Sequence, residues 1–259
     1  MKRSIISLGI GVLSVFLFFS CTDIGDENYV SFGVIQNVTS NKEYEIRTDK
    51  GNTLIVTKSL TNQAIEENKR VYVNFEILSD KDKNKNIYEV CVNVFYDILS
   101  KPIVKESFIL EDEDVRRDSI GNDPFNFVNA QFGGDFINIK FEMWSSRNSD
   151  KKHMVNLVYD DLRADSDTIY LRLYHNAYGE VPNKNSHLYR GIGRCSFKIS
   201  DLIPEGVKSK PVKFTWTEYK SNYEPQERSG TGVFHVGETS DKSKTFSSES
   251  GLENYVEVK

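Results

Sequence analysis

The sequence predicts an all-β protein in two parts, a small closed barrel followed by a larger β-sandwich. Three observations carry this reading. Apolar residues recur with period two through almost every patterned stretch, the spacing of strands that bury one face. Asn, Asp and Gly separate those stretches at hairpin spacing. The early strand-like stretches are short and closely spaced, five within about 70 residues, which suits a small closed barrel of the OB kind.

The first group comprises Tyr29–Val38, Tyr44–Thr48, Thr53–Lys58, Arg70–Leu78 and Ile87–Ile98. In the fourth, Val71, Val73, Phe75 and Ile77 share one face, while Tyr72, Asn74 and Glu76 share the other. Asp49-Lys50-Gly51-Asn52 reads as a tight hairpin, with Gly51 available for positive φ. Ala64–Lys69 reads as one short helical turn, and Asp80–Asn86 as an exposed loop. Leu99-Ser100-Lys101-Pro102-Ile103 forms the boundary, because Pro interrupts a ladder and restricts its predecessor.

The second group runs from about Ser107 to Val258 as some seven or eight strands, a number that suits a sandwich. Gly133-Gly134 joins Phe127–Phe132 to Phe136–Met143. Ile169, Leu171 and Leu173 alternate with Tyr170, Arg172 and Tyr174. Cys195, Phe197 and Ile199 point inward, as do Val212, Phe214 and Trp216. Gly191-Ile192-Gly193 reads as a bulge or turn, and Ser200–Ile203 as a capped turn. Ser145–Lys152, Val181–Ser186 and Gly237–Gly251 read as loops, the last preceding a strand at Tyr255–Val258.

The N-terminus carries a targeting signal. Lys2 and Arg3 precede an uncharged, mostly apolar run from Ile5 to Phe19, shorter than the ~20 residues of a membrane span. The junction Phe18-Phe19-Ser20-Cys21 resembles the lipobox of bacterial lipoproteins, with a small residue before the acylated cysteine; Phe18 and Phe19 depart from its commoner pattern. Lipidation is therefore expected at Cys21, and several acyl chains together anchor stably. The expected organisation is a signal peptide over 1–20, a tether over 21–28, an OB-like barrel over 29–103 and a sandwich over 104–259. The implied location is the outer membrane, on its periplasmic face or at the cell surface.

Three segments carry a wider resemblance: Phe132-Gly133-Gly134-Asp135-Phe136-Ile137-Asn138-Ile139-Lys140-Phe141, His153-Met154-Val155-Asn156-Leu157-Val158, and Leu171-Arg172-Leu173-Tyr174-His175-Asn176-Ala177. With the lipobox and Arg70-Val71-Tyr72-Val73-Asn74-Phe75, they resemble the NigD-like lipoproteins. The resemblance implies an N-terminal OB-like domain and a C-terminal β-sandwich. It implies no catalytic residue, and its link to bacteriocin clusters is association rather than mechanism.

Charge and cysteine content narrow the function. The 259 residues carry a formal net charge of −5, and loss of the signal removes two more positive charges, which disfavours a nucleic-acid partner. Of the three cysteines, Cys21 is spent on lipid, and Cys91 and Cys195 read as spectators rather than a disulfide. The four histidines show no metal-ligand spacing, no nucleophile elbow occurs, and no catalytic, metal or cofactor site is expected. His175 reads as a hydrogen-bonded core or rim imidazole. Aromatics are the enriched feature, with 13 Tyr and 16 Phe, and Tyr170, Tyr174, Tyr178 and Trp144 are the candidate ligand-binding residues. The sequence thus points to a lipid-anchored, non-enzymatic binding or scaffolding module. A glycan or peptide receptor of an uptake or bacteriocin system, and an envelope hydrolase using a carboxylate pair, are the alternatives.

Overall fold

The structure, a computed structural model, describes residues 28–146, 152–163, 167–182, 187–220 and 222–237. The expected signal peptide, Cys21, the Gly237–Gly251 loop beyond its first residue, and the Tyr255–Val258 strand lie outside the described residues.

Strands β1 (Tyr29–Ser40), β2 (Glu43–Thr48), β3 (Thr53–Ser59), β4 (Arg70–Asp82) and β5 (Ile87–Asp97) close into a barrel of order β1-β2-β3-β5-β4. The closing ladder is antiparallel, from Tyr29↔Phe75 to Val34↔Arg70, and β3 runs parallel to β5. Ile35, Ile46, Leu54, Val56, Val71, Val73 and Val90 fill the interior, all fully buried. Gly51 turns the β2–β3 hairpin at φ 81°. The stretch Ala64–Lys69 forms no helix: Asn68 takes a left-handed φ of 65°, and its backbone pairs with Ile35, so the chain reverses in a turn. A bulge at Asn93, between Val92 opposite Phe75 and Val94 opposite Asn74, shifts the alternation of β5, so that Val92 and Phe95 are buried while Val94 is exposed.

The chain then crosses between the two sheets of a sandwich. β6 (Leu99–Ser100) joins β12 in a four-stranded sheet of order β6-β12-β9-β8, where β8 is Asn126–Gly133, β9 Phe136–Ser145 and β12 Tyr189–Lys198. β7 (Val104–Lys105) joins β10 in a five-stranded sheet of order β14-β13-β11-β10-β7. Here β10 is Met154–Tyr159, β11 Ile169–Asn176, β13 Ser209–Tyr219 and β14 Pro225–His235. Phe141, Leu157, Leu173, Phe197 and Phe234 meet between the sheets. Gly191-Ile192-Gly193 continues β12 without a bulge. Gly193 lies so close to Phe141 that an added Cβ would meet the ring at 2.5 Å, so glycine here makes room for an aromatic.

The segment after Lys105 departs from the all-strand expectation. It forms α1 (Glu106–Leu110) and α2 (Glu113–Ile120), whose Ile109 and Ile120 bury against Val158 on the outer face of β10. Asp161 holds the start of α1 by accepting from the Ser107 backbone N–H at 2.9 Å, and Gly121 ends α2 at φ 67°. Helices of five and eight residues are marginal alone, so this packing stabilises them.

A buried polar cluster binds the barrel to the sandwich. Arg70, 4% exposed, forms a two-pronged ion pair with Asp49, 8% exposed, both from the barrel. Arg70 Nη2 also donates to Asn138 Oδ1 on β9 at 2.8 Å, and its Nε to Ser196 Oγ on β12 at 3.3 Å. Asn138 Nδ2 donates to Asp49 at 2.6 Å, and Ser196 Oγ donates to Asn138 at 2.6 Å. The Phe136 ring lies 4.0 Å from the Arg70 guanidinium. Gly133 admits the approach, since a Cβ there would meet Asp49 Cβ at 2.7 Å.

Removing one partner strands the other charge in the interior. Arg70→Leu is therefore expected to cost about 3–5 kcal/mol in urea unfolding, and Asp49→Leu a similar amount. The double replacement should cost well below the sum; strict additivity would show that the two charges do not depend on each other.

Candidate functional site

The outer face of the five-stranded sheet carries an open groove of about 430 Å³. Its floor is the polar face of β11, where Tyr170, Arg172 and Tyr174 follow one another at strand spacing, with Lys213 and Thr215 beside them on β13. Register pairs Tyr170 with Lys213 and Arg172 with Thr215. Glu106 of α1 and Asp160, Leu162 and Arg163 of the β10–β11 connection form one side, and Glu227 of β14 the other.

Guanidinium groups and tyrosine rings alternate across this face. Arg163 lies 4.0 Å from the Tyr170 ring centroid, and the Tyr174 ring is flanked by Arg172 at 5.2 Å and Arg117 at 5.8 Å. Arg117 Nη1 also donates to the Tyr174 hydroxyl at 2.8 Å. Burial pushes the Tyr174 phenol above its ordinary range, so it is neutral at physiological pH. The three acids of the groove are each held by a guanidinium: Glu106 by Arg117, Asp160 by Arg163 at 2.7 Å, and Glu227 by Arg172. Lys213 is exposed and makes no ion pair among the described residues.

Of the four ligand-binding candidates read from the sequence, the structure brings Tyr170 and Tyr174 together in this groove. Trp144 belongs to the other sheet, where it pairs with Arg190, and Tyr178 sits after β11 at a left-handed φ of 50°. Sequence reasoning missed Arg163, Lys213 and the three acids. Only the Tyr-x-Arg-x-Tyr alternation on β11 signalled a shared face.

Below the sheet lies a second polar constellation. His153 and His175 are 1% and 2% exposed, and their Nδ1 and Nε2 atoms are 2.9 Å apart. His153 Nε2 lies 2.9 Å from Glu180 Oε2, and His175 Nδ1 lies 3.3 Å from the Asp123 carbonyl oxygen. Hydrogen-bond capacity assigns the tautomer: His175 donates from Nδ1 to Asp123 and accepts at Nε2 from His153. One proton then lies between His153 Nε2 and Glu180. The chain ends on a backbone carbonyl rather than in the groove, which makes it a structural tie between β11 and the loop after it. Burial, with His153 adding to it, pushes His175 down to about 3. The Cys195 thiol is pushed up by burial, and Cys91 and Cys195 are both free. Among the described residues no group of three or more His, Cys, Asp or Glu is placed to hold a metal ion, and no helix is long and apolar enough to cross a membrane.

Barrel and sandwich define an all-β fold class, and the outer sheet face carries a polar cleft. Residues 107–227 match the model of the NigD-like C-terminal beta sandwich domain, which places the sandwich of this chain in the NigD-like family. A NigD-like immunity protein from Bacteroides caccae is similar over 77% of this chain and 91% of its own, at 21% identity and a TM-score of 0.61. A Parabacteroides distasonis protein provisionally described as toxin-related is 25% identical over 79% of this chain and 93% of its own, with a TM-score of 0.58. A Bacteroides fragilis protein provisionally described as a lipoprotein is 11% identical over 82% of this chain and all of its own, with a TM-score of 0.55. No curated protein sequence matches the chain.

His175 stays neutral in the folded protein but titrates near 6.5 when unfolded. Its contribution to stability is complete above about pH 6.5 and is lost as pH falls toward about 3. Urea unfolding at pH 7 and pH 5 should show a loss of about 2 kcal/mol from this group. His175→Gln should flatten that branch; an unchanged pH slope would remove the assignment.

Proposed function

We propose that the protein is a non-enzymatic, lipid-anchored binding module of the bacterial cell envelope, held through Cys21, and that the groove over β11 and β13 is its ligand site. The groove is the observation that carries the binding part. It combines a cavity of about 430 Å³, within the size range of small-ligand clefts, with convergent polar groups and two tyrosine rings. Its acids are neutralised by guanidinium groups, an arrangement for holding a ligand rather than for moving protons. The Ser20-Cys21 junction supports the anchor, and so does likeness to a protein provisionally described as a lipoprotein. The outer membrane is the location that follows, on its periplasmic face or at the surface. An immunity role, as in the description of the Bacteroides caccae protein, is compatible with such a module: the groove would then receive a bacteriocin-related partner.

Radiolabelled palmitate should enter the wild type and not Cys21→Ala; equal labelling would remove the anchor. A glycan and peptide array probed with wild type and with Tyr170→Ala/Arg172→Ala should show hits that the double variant loses at least tenfold. Hits that persist unchanged would move the site away from the groove.

A further inference from the structure

The charge balance of the groove selects among ligands, and this step rests on reading the groove as a ligand site. We infer that it takes an acidic oligosaccharide, a short sugar chain whose carboxylate sits on Lys213. Each lining acid already has a guanidinium partner, so the groove interior is neutral except for one ammonium group. That ammonium stands beside Tyr170 on the neighbouring strand, at one end of the Tyr170–Arg172–Tyr174 row. A ligand carrying one anionic group matches this pattern, in a protein whose overall charge of −5 otherwise repels anions.

The rest of the lining favours a sugar chain over a peptide. The floor is a sheet face, and β11 and β13 are each paired on both sides, so no backbone groups are available to add a peptide strand. Leu162 is the one strongly exposed apolar side chain of the lining, and a peptide-anchoring pocket is missing from the described groove. What the floor offers is hydroxyl and guanidinium groups. Thr215 lies beside Arg172, and Ser229 and Thr231 continue the rows of Thr215 and Lys213 onto β14. Tyr170 and Tyr174 stand about 13 Å apart along the strand, long enough to span successive rings of a chain rather than one.

The test titrates full-length acylated protein in detergent micelles with a panel of uronic-acid trisaccharides and with the neutral methyl ester of each. At least one acid should bind more tightly than its ester, by about threefold to fivefold at low salt, and the difference should vanish in Lys213→Ala and return in Lys213→Arg. Lys213 is exposed and makes no ion pair among the described residues, so circular dichroism should show both variants folded. Equal binding of acid and ester, lost in Tyr170→Ala/Arg172→Ala, would overturn the carboxylate assignment and leave the groove standing. Binding that neither Lys213→Ala nor the double variant changes would overturn the groove itself. If no uronate or ester binds, the saccharide assignment falls, and the array comparison decides whether the groove serves another ligand.

Discussion

Arg70 and Asp49 are two charges taken out of water at the seam between the barrel and the sandwich, and the arrangement of everything else follows from the need to satisfy them. Desolvating such a pair costs several kcal/mol per ion, which their attraction offsets only when the remaining donors and acceptors also find partners. Here those partners come from β9 and β12. The barrel supplies both charges, and the sandwich supplies Asn138 and Ser196. A shift of an ångström or two between the two parts would leave a buried donor or carboxylate unpaired. The cluster therefore sets how the parts sit, more firmly than an apolar seam of the same size, which tolerates sliding.

That seam uses the four-stranded sheet, and so leaves the five-stranded sheet with its outer face uncovered. The helices α1 and α2 cover only the β10 side, where Ile109 and Ile120 pack on Val158. Between them and β14 the floor remains open, and its side chains neutralise one another because no second layer does so. The buried His175 lies on the opposite face of β11, with His153 beside it just ahead of β10. His175 and Tyr174 are neighbours in sequence, yet one anchors the interior and the other lines the groove.

Much of this was legible in the sequence, because strand alternation and hairpin glycines are local signals. The barrel strands, the Gly133-Gly134 hairpin and the inward course of Cys195, Phe197 and Trp216 all follow from patterns within a few residues. The helices over residues 106–120 do not, since five and eight residues hold too few turns for a periodic stripe, and their stability comes from Val158 far along the chain. Arg70 also stayed hidden: at the head of an apolar strand it reads as a solvated end, and only the approach of Asn138 and Ser196 makes it interior. Tyr170 and Tyr174 were visible as a polar face with Arg172, but their other arginine neighbours, Arg117 and Arg163, come from two other segments. His153 and His175 were each noted as residues without ligand spacing, and strand pairing alone brings them within 2.9 Å.

The short crossover after the barrel bears on the order in which the molecule assembles. Leu99-Ser100 waits for Cys195-Ser196 before it can pair, and Val104-Lys105 for Val158-Tyr159. The barrel closes on itself from contiguous chain, its ladders running from Tyr29 to Asp97 among the described residues. Long-range pairing is slow because loop entropy is lost before contacts form. During synthesis the barrel can therefore complete its ladders while its Arg70–Asp49 pair still faces water. The sandwich later closes over that pair, converting a hydrated surface contact into an interior one and making the later strands β9 and β12 the ones that lock the first.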